Sequence, residues 1–312
     1  MSTQHSDPSR PGSGALIAGA TAATSGVSVL VNASAVHAFA DAIAFTTAKN
    51  LVAAGLLALG ALALGRRHRP ARASTGAPGP SRAHVRAGVA YVGVIGGGLA
   101  FALFFTGLRE TAAVPAAFLH DTLVVFVALA CWPVLGERVR AANLLAIGAL
   151  VAGAVTLSGG VGGLAPTRGN LLVLGATLLW AGEVLIAKRV LATVAPLRLA
   201  ALRLGIGAVV LLIDLALFGD LGPLAHLGRA EVGWILVTGA LLALYVGTWF
   251  TALGRARAID VTSVLVASAA LSAVLDGALG RTSLGGRTLV GVALVLSGTA
   301  LVYARWVHWA RA

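Results

Sequence analysis

Seven residues of types that can carry charge, share a proton or grip a polar solute stand inside long apolar runs: Asn32, Lys49, His120, Asp121, Trp180, Glu183 and Tyr245. An ionised side chain at the middle of a bilayer costs roughly 2.5–3.5 kcal/mol on insertion scales, so each one held there is a candidate functional group. His120 and Asp121 lie eight or nine residues into their run, about 13 Å from its end at 1.5 Å per residue. Successive helical positions diverge by about 100°. The pair therefore splits, one member lining a central cavity and the other meeting a neighbouring helix. Trp180 and Glu183 are three apart and share a helix face, which sets a ring beside a carboxylate. Without a full counter-ion that carboxylate could exchange a proton or hold a cationic solute; the alternative is an ion pair with Lys49 or Arg203. Lys49, about six residues into its run, could neutralise Asp121, meet an anionic solute or snorkel to the outer interface. Arg203 stands near the end of its run and reads as a snorkelling anchor. Asn32 and Tyr245 are modest cavity candidates, and Asp260, ahead of Val261-Thr262-Ser263, reads as a helix N-cap. No cofactor or metal is expected. Cys131 is the single cysteine, and no His-Glu-x-x-His site or phosphate loop is present.

Membrane helices are the elements that must position these residues. Of 312 residues, 58% are hydrophobic and 11% charged, more apolar side chain than one water-soluble core could bury. A bilayer core about 30 Å thick needs roughly 20 apolar residues per helix. That ruler predicts ten spans near 15–36, 43–65, 86–108, 112–135, 142–159, 169–190, 198–218, 232–253, 259–279 and 287–307. Residues 1–14 read as a polar tail, 66–85 as a basic loop, 160–168 as a Gly/Pro-rich linker and 308–312 as a second tail. Ala38-Phe39-Ala40 resembles a signal-peptidase site, but the apolar stretch before it is long for a signal and has a counterpart in the second half. The net charge of +12 is explained by topology rather than by nucleic acid. With the N-terminus inside, sixteen basic residues fall in cytoplasmic segments and five in outer loops, so both termini are expected in the cytoplasm of a cell that carries this protein in its inner membrane.

The chain also repeats itself. Phe105-Thr106-Gly107-Leu108 lies over Phe250-Thr251-Ala252-Leu253, and Leu135-Gly136 over Leu279-Gly280. Thr47-Ala48-Lys49 lies over Ala201-Leu202-Arg203, and Val29-Leu30-Val31 over Val184-Leu185-Ile186. The two units are 15–159 and 169–307, each of five spans. An odd number of crossings starts the second copy on the opposite face, so the expected fold is all-α, ten transmembrane helices in two inverted five-helix repeats. Inverted repeats are the architecture of alternating-access carriers. Gly93-x-x-x-Gly97, extended by Gly96 and Gly98, is a close-packing signal and a secondary hinge candidate.

Several segments, in order, resemble the drug/metabolite transporter superfamily, specifically its EamA-like ten-helix members. They are Leu135-Gly136-Glu137-Arg138, Gly169-Asn170-Leu171-Leu172, Leu179-Trp180-Ala181 with Lys188, and Pro196 through Ala201-Leu202-Arg203. The chain departs from the family at Arg281, where an acidic residue is common, and at Thr24-Ser25-Gly26, where a tryptophan is usual. Together with the repeat, the resemblance implies a secondary transporter of a small metabolite such as an amino acid, by export or exchange. Partners would be that solute, the lipid bilayer and protons as a candidate coupling ion; nucleic acid is not among them, and the oligomeric state is open. A channel or non-catalytic scaffold is the alternative. An intramembrane enzyme fits least, because no Gly-x-Ser-x-Gly nucleophile appears.

Overall fold

The computed structural model describes residues 12–65, 81–111, 113–137, 139, 141–157, 165–280 and 285–309. The cores of the predicted tail, basic loop and linker (1–11, 66–80 and 158–164), Arg138, Arg140, Arg281 and the last three residues lie outside them. Every regular element among the described residues is helical: α1 (Gly12–Ala35), α2 (Ala42–Gly65), α3 (Arg82–Tyr91), a π-helical turn (Val92–Leu99), α4 (Ala100–Glu110), α5 (Ala113–Asp121), α6 (Leu123–Leu135), α7 (Ala141–Leu157), α8 (Arg168–Val190), α9 (Pro196–Phe218), the short α10 (Gly222–Ala225), α11 (Arg229–Arg255), α12 (Ala258–Leu265), α13 (Ala267–Ala278) and α14 (Gly286–Trp309), with a 3₁₀ turn (Val36–Ala38) after α1.

Lipid leaves no water for backbone groups, so helices are the form these apolar runs must take. Their polar residues follow the same rule: Thr46, Thr47, Thr177 and Thr238 each donate to the carbonyl four residues back. Helix starts are placed by local chemistry. Asp41 Oδ1 accepts from the backbone N–H groups of Ile43 and Ala44 at 2.6 and 2.8 Å, opening α2. Thr167 accepts from Asn170 N at 3.3 Å, and Pro196 opens α9.

Eight segments are long and apolar enough to cross a membrane, and two shorter apolar helices, Asn143–Leu157 and Gly286–Val302, occupy the expected fifth and tenth places. Ten full crossings therefore depend on that shorter pair. Boundaries shift in detail. α1 begins at Gly12, inside the predicted tail. The fourth and ninth spans are each broken, at Thr122 and Val266, with the same separation as Gly136 and Gly280. Those two glycines both adopt positive φ, 71° and 69°, the left-handed conformation that ends a helix without a Cβ clash.

Helix contacts are symmetric under exchange of the halves. α1 packs on α11 as α8 packs on α4; α1 packs on α12 and α13 as α8 packs on α5 and α6. α2 meets α11 as α9 meets the π-helical turn, while α2–α9 and α7–α14 pair each element with its own counterpart. The polar residues of interest sit where these contacts converge.

Candidate functional site

The third span is the least regular and the most informative. Its π-helical stretch Val92–Leu99 ends with the Ala100 N–H bonded to the Ile95 carbonyl, five residues back, so other carbonyls are released from the ladder. Side chains from three helices collect them. Gly96 O accepts from Trp180 Nε1 at 2.9 Å and from an Arg203 guanidinium nitrogen at 3.1 Å, and Gly97 O accepts from Asn50 Nδ2 at 3.4 Å. The glycines are required by proximity. A methyl group on Gly96 would strike the Glu183 carboxylate, one on Gly97 the Arg203 carbonyl, and one on Gly207 the Gly97 backbone. Gly97→Ala should therefore force α9 away from the turn and cost about 1–3 kcal/mol. A lowered melting temperature of purified protein in detergent measures it, with Gly205→Ala, where a Cβ meets nothing, as the control.

Glu183 and Arg203 form the buried centre. Their side chains are 5% and 8% exposed, and the guanidinium grips both carboxylate oxygens: Nε donates to Oε1 and NH2 to Oε2 at 2.8 Å. This overturns two expectations. Arg203 is not a snorkelling anchor, because it stands two turns inside α9 against α8 and cannot reach an interface. Glu183 does not lack a counter-ion, and the ion-pair alternative is the one observed. Arg203 NH1 has no hydrogen-bond partner among the described residues.

Lys49 is likewise buried, 1% exposed, rather than snorkelling, because α2 presses it against rings instead of towards an interface. Its Nζ donates to Asn32 Oδ1 at 2.7 Å and lies 3.4 Å from the Phe105 ring centroid, with Phe45 at 4.9 Å and Phe101 at 5.8 Å. Asn32 is oriented by Ser28, to whose hydroxyl and carbonyl oxygens its Nδ2 donates.

The His120/Asp121 pair divides. His120 lines the cavity and packs against Phe104 and Trp180, the three ring centroids lying 5.2–5.8 Å apart. Asp121 is buried behind it. The ionisable group it meets within 4 Å is His120 itself, at 3.7 Å, rather than a group on another helix, because the two stand side by side at the end of α5. Asp121 Oδ2 has no hydrogen-bond partner among the described residues. Asp260 also differs from expectation. α12 starts at Ala258, so Asp260 is in the first turn rather than at the N-cap, and Asn143 Nδ2 approaches it at 3.4 Å.

These groups surround one cavity of about 840 Å³, its open mouth included, between the halves. Asn32, Lys49, His120, Trp180, Glu183 and Tyr245 all line it; Asp121 does not. The sequence reading named Arg203 only as an anchor or as a partner for Glu183, and it missed Ser25, Ser28, the Phe101-Phe104-Phe105 wall and Trp249, which stacks on Tyr245 at 6.3 Å. The spacing of Phe101, Phe104 and Phe105 marks one helix face, but nothing local says that the face meets a void rather than a neighbour.

Two charged side chains tie helix ends together beside Gly136, one across the halves and one within the second half. Glu137, held by the Gly136 turn, accepts from the backbone N–H groups of Ala258 and Ile259 at 3.2 and 3.5 Å, capping α12. Lys188 of α8 donates to the Leu253 and Ala256 carbonyls at the end of α11, at 2.7 and 2.5 Å.

Two similar helical halves closing on a polar cavity at membrane depth define a polytopic membrane protein of the transporter type. The chain belongs to the EamA-like transporter family, which matches residues 12–159 and 167–304. One solved crystal structure shares the fold with a TM-score of 0.70 at 18% identity, covering 90% of this chain and 97% of that one. No curated protein matches the sequence. The protein is a multi-pass membrane transporter of small solutes.

Proposed function

We propose that the protein is a secondary transporter that moves a small polar metabolite by alternating access around the midplane cavity, as an exporter or exchanger. The observation that carries this reading is the cavity itself, lined by side chains from both halves and holding charged groups that membrane depth would otherwise penalise. Helix contacts that interchange under the repeat support two states of similar packing, one open to each side. The end tied by Glu137 and Lys188 is assigned to the cytoplasm from the distribution of basic residues, with both termini on that side and the inner membrane as location.

The closure is lopsided. Extending the repeat places Arg281 over Glu137 and Ala33 over Lys188, so the opposite end has neither the carboxylate nor the ammonium of this clasp. The state closed at the Glu137 end is thereby favoured. Protons remain the candidate coupling ion, and Asp121, buried with one oxygen unpartnered, is a better carrier than the fully paired Glu183. Counterflow in proteoliposomes tests the reading. A carrier accumulates labelled solute transiently against unlabelled solute at a saturable rate; unsaturable flux would make the protein a channel, and a chemically changed solute an enzyme.

A further inference from the structure

The repeat overlays Lys49 on Arg203, and carrying the same registers on overlays Ser28 on Glu183 and Phe105 on Phe250. The structure respects each correspondence. Arg203 sits over Phe250 at 6.0 Å and Lys49 over Phe105 at 3.4 Å, and Ser28 belongs to the Lys49 site through Asn32 as Glu183 belongs to the Arg203 site. The two copies thus contain the same device, a buried cation on an aromatic face, but only one contains the anion. In the second half Glu183 neutralises Arg203 through two hydrogen bonds. In the first half the equivalent place holds a serine, and among the described residues no carboxylate lies within ion-pair distance of Lys49.

We propose that the missing anion is supplied by the transported solute: Lys49, with Asn32 and Ser28, forms a subsite for a carboxylate. An ammonium has three N–H donors, and Asn32 Oδ1 takes one. The ring faces around it favour a cation but do not replace an anion in a desolvated site. An incoming carboxylate would complete in the first half the ion pair that the chain's own Glu183 completes in the second. This rests on the transporter reading and names its substrate class.

The rest of the lining narrows the class. Phe104, His120 and Trp180 form a three-ring wall suited to a flat apolar body. Among the described residues the one carboxylate in the lining is Glu183, which is occupied by Arg203, and Asp121 lies behind the wall, so no free anion among them awaits an α-ammonium group. A single uncompensated cation also suits a monoanion better than a phosphate dianion. The substrate is therefore an apolar or aromatic monocarboxylate rather than the corresponding zwitterionic amino acid, amine or phosphate.

A matched set of probes decides this on the purified full-length protein: 3-phenylpropionate, phenylalanine, phenethylamine and inorganic phosphate, each titrated by quenching of tryptophan fluorescence and by thermal shift. The wild type should bind 3-phenylpropionate at least about tenfold more tightly than the other three. Lys49→Met should lose that binding about tenfold or more, and Lys49→Arg should retain it within a few-fold; if Lys49→Met fails to fold, the wild-type ranking and Lys49→Arg still decide. Tighter binding of phenylalanine, phenethylamine or phosphate, no binding of any probe, or undiminished binding to folded Lys49→Met overturns the subsite. Counterflow separates this from the wider reading. A Lys49→Met protein that exchanges solute as well as the wild type sinks the subsite alone, whereas a wild type without saturable exchange of any solute sinks the transporter.

Discussion

Glu183→Gln is expected to destabilise the folded protein by about 3–5 kcal/mol, the usual cost of leaving one member of a buried ion pair without its partner. The arginine left behind is largely shielded from water. Arg203 is 7% exposed, its guanidinium is enclosed by Glu183, the Gly96 carbonyl and the rings of Phe101 and Phe250, and NH1 already lacks a partner. Removing both charges should do less harm than removing one, because replacing a buried pair with apolar side chains of similar volume is often close to neutral. The double variant Glu183→Gln, Arg203→Met should thus recover most of the lost stability, giving a large favourable coupling in a double-mutant cycle. Thermal denaturation of the four purified proteins in one detergent measures it. A single Glu183→Gln protein that melts within about a degree of the wild type would show that the pair does not hold the helices together.

The second large effect is expected at the clasp. Glu137→Ala with Lys188→Met deletes four charge-assisted hydrogen bonds at that end, two of them between the halves and two between α8 and α11 within the second half, while leaving the cavity lining untouched. Such bonds contribute about 1.5–3 kcal/mol each where buried, and less at a partly wetted helix end. A combined loss of about 2–4 kcal/mol in the clasped state relative to its alternative is reasonable. That is a population shift on the order of thirtyfold or more. Spin labels at the exposed positions Trp132 and Arg255, on α6 of the first half and α11 of the second, in a Cys131→Ser background, report the separation of the halves at that end. The double variant should populate a longer distance that the wild type lacks. An unchanged distribution would mean that packing, not these four bonds, keeps the end closed.

Much of the fold was legible because lipid imposes a simple rule on sequence. Apolar runs of the right length must be helices, and polar residues within them must be few and paired. The repeat was legible for the same reason that it folds twice: the same pattern of small, apolar and turn residues returns, down to Gly136 and Gly280. Irregularities were not legible. Nothing in Val92–Leu99 distinguishes a π-helical turn from a glycine-rich α-helix until α9 packs so closely that Gly97 and Gly207 meet backbone to backbone. The breaks at Thr122 and Val266 were also hidden.

By itself the sequence determined that this protein is an all-helical, duplicated membrane protein, and it singled out the polar side chains whose depth in the bilayer demands a reason. Tertiary structure alone decided their partners. Depth is a property of position along one helix and can be counted; pairing depends on which face of a second helix arrives, and through how narrow a gap. That is why Arg203 could be mistaken for an anchor until α8 brought Glu183 against it, and why Lys49 stands out as a cation without its anion only when its counterpart is seen to have one.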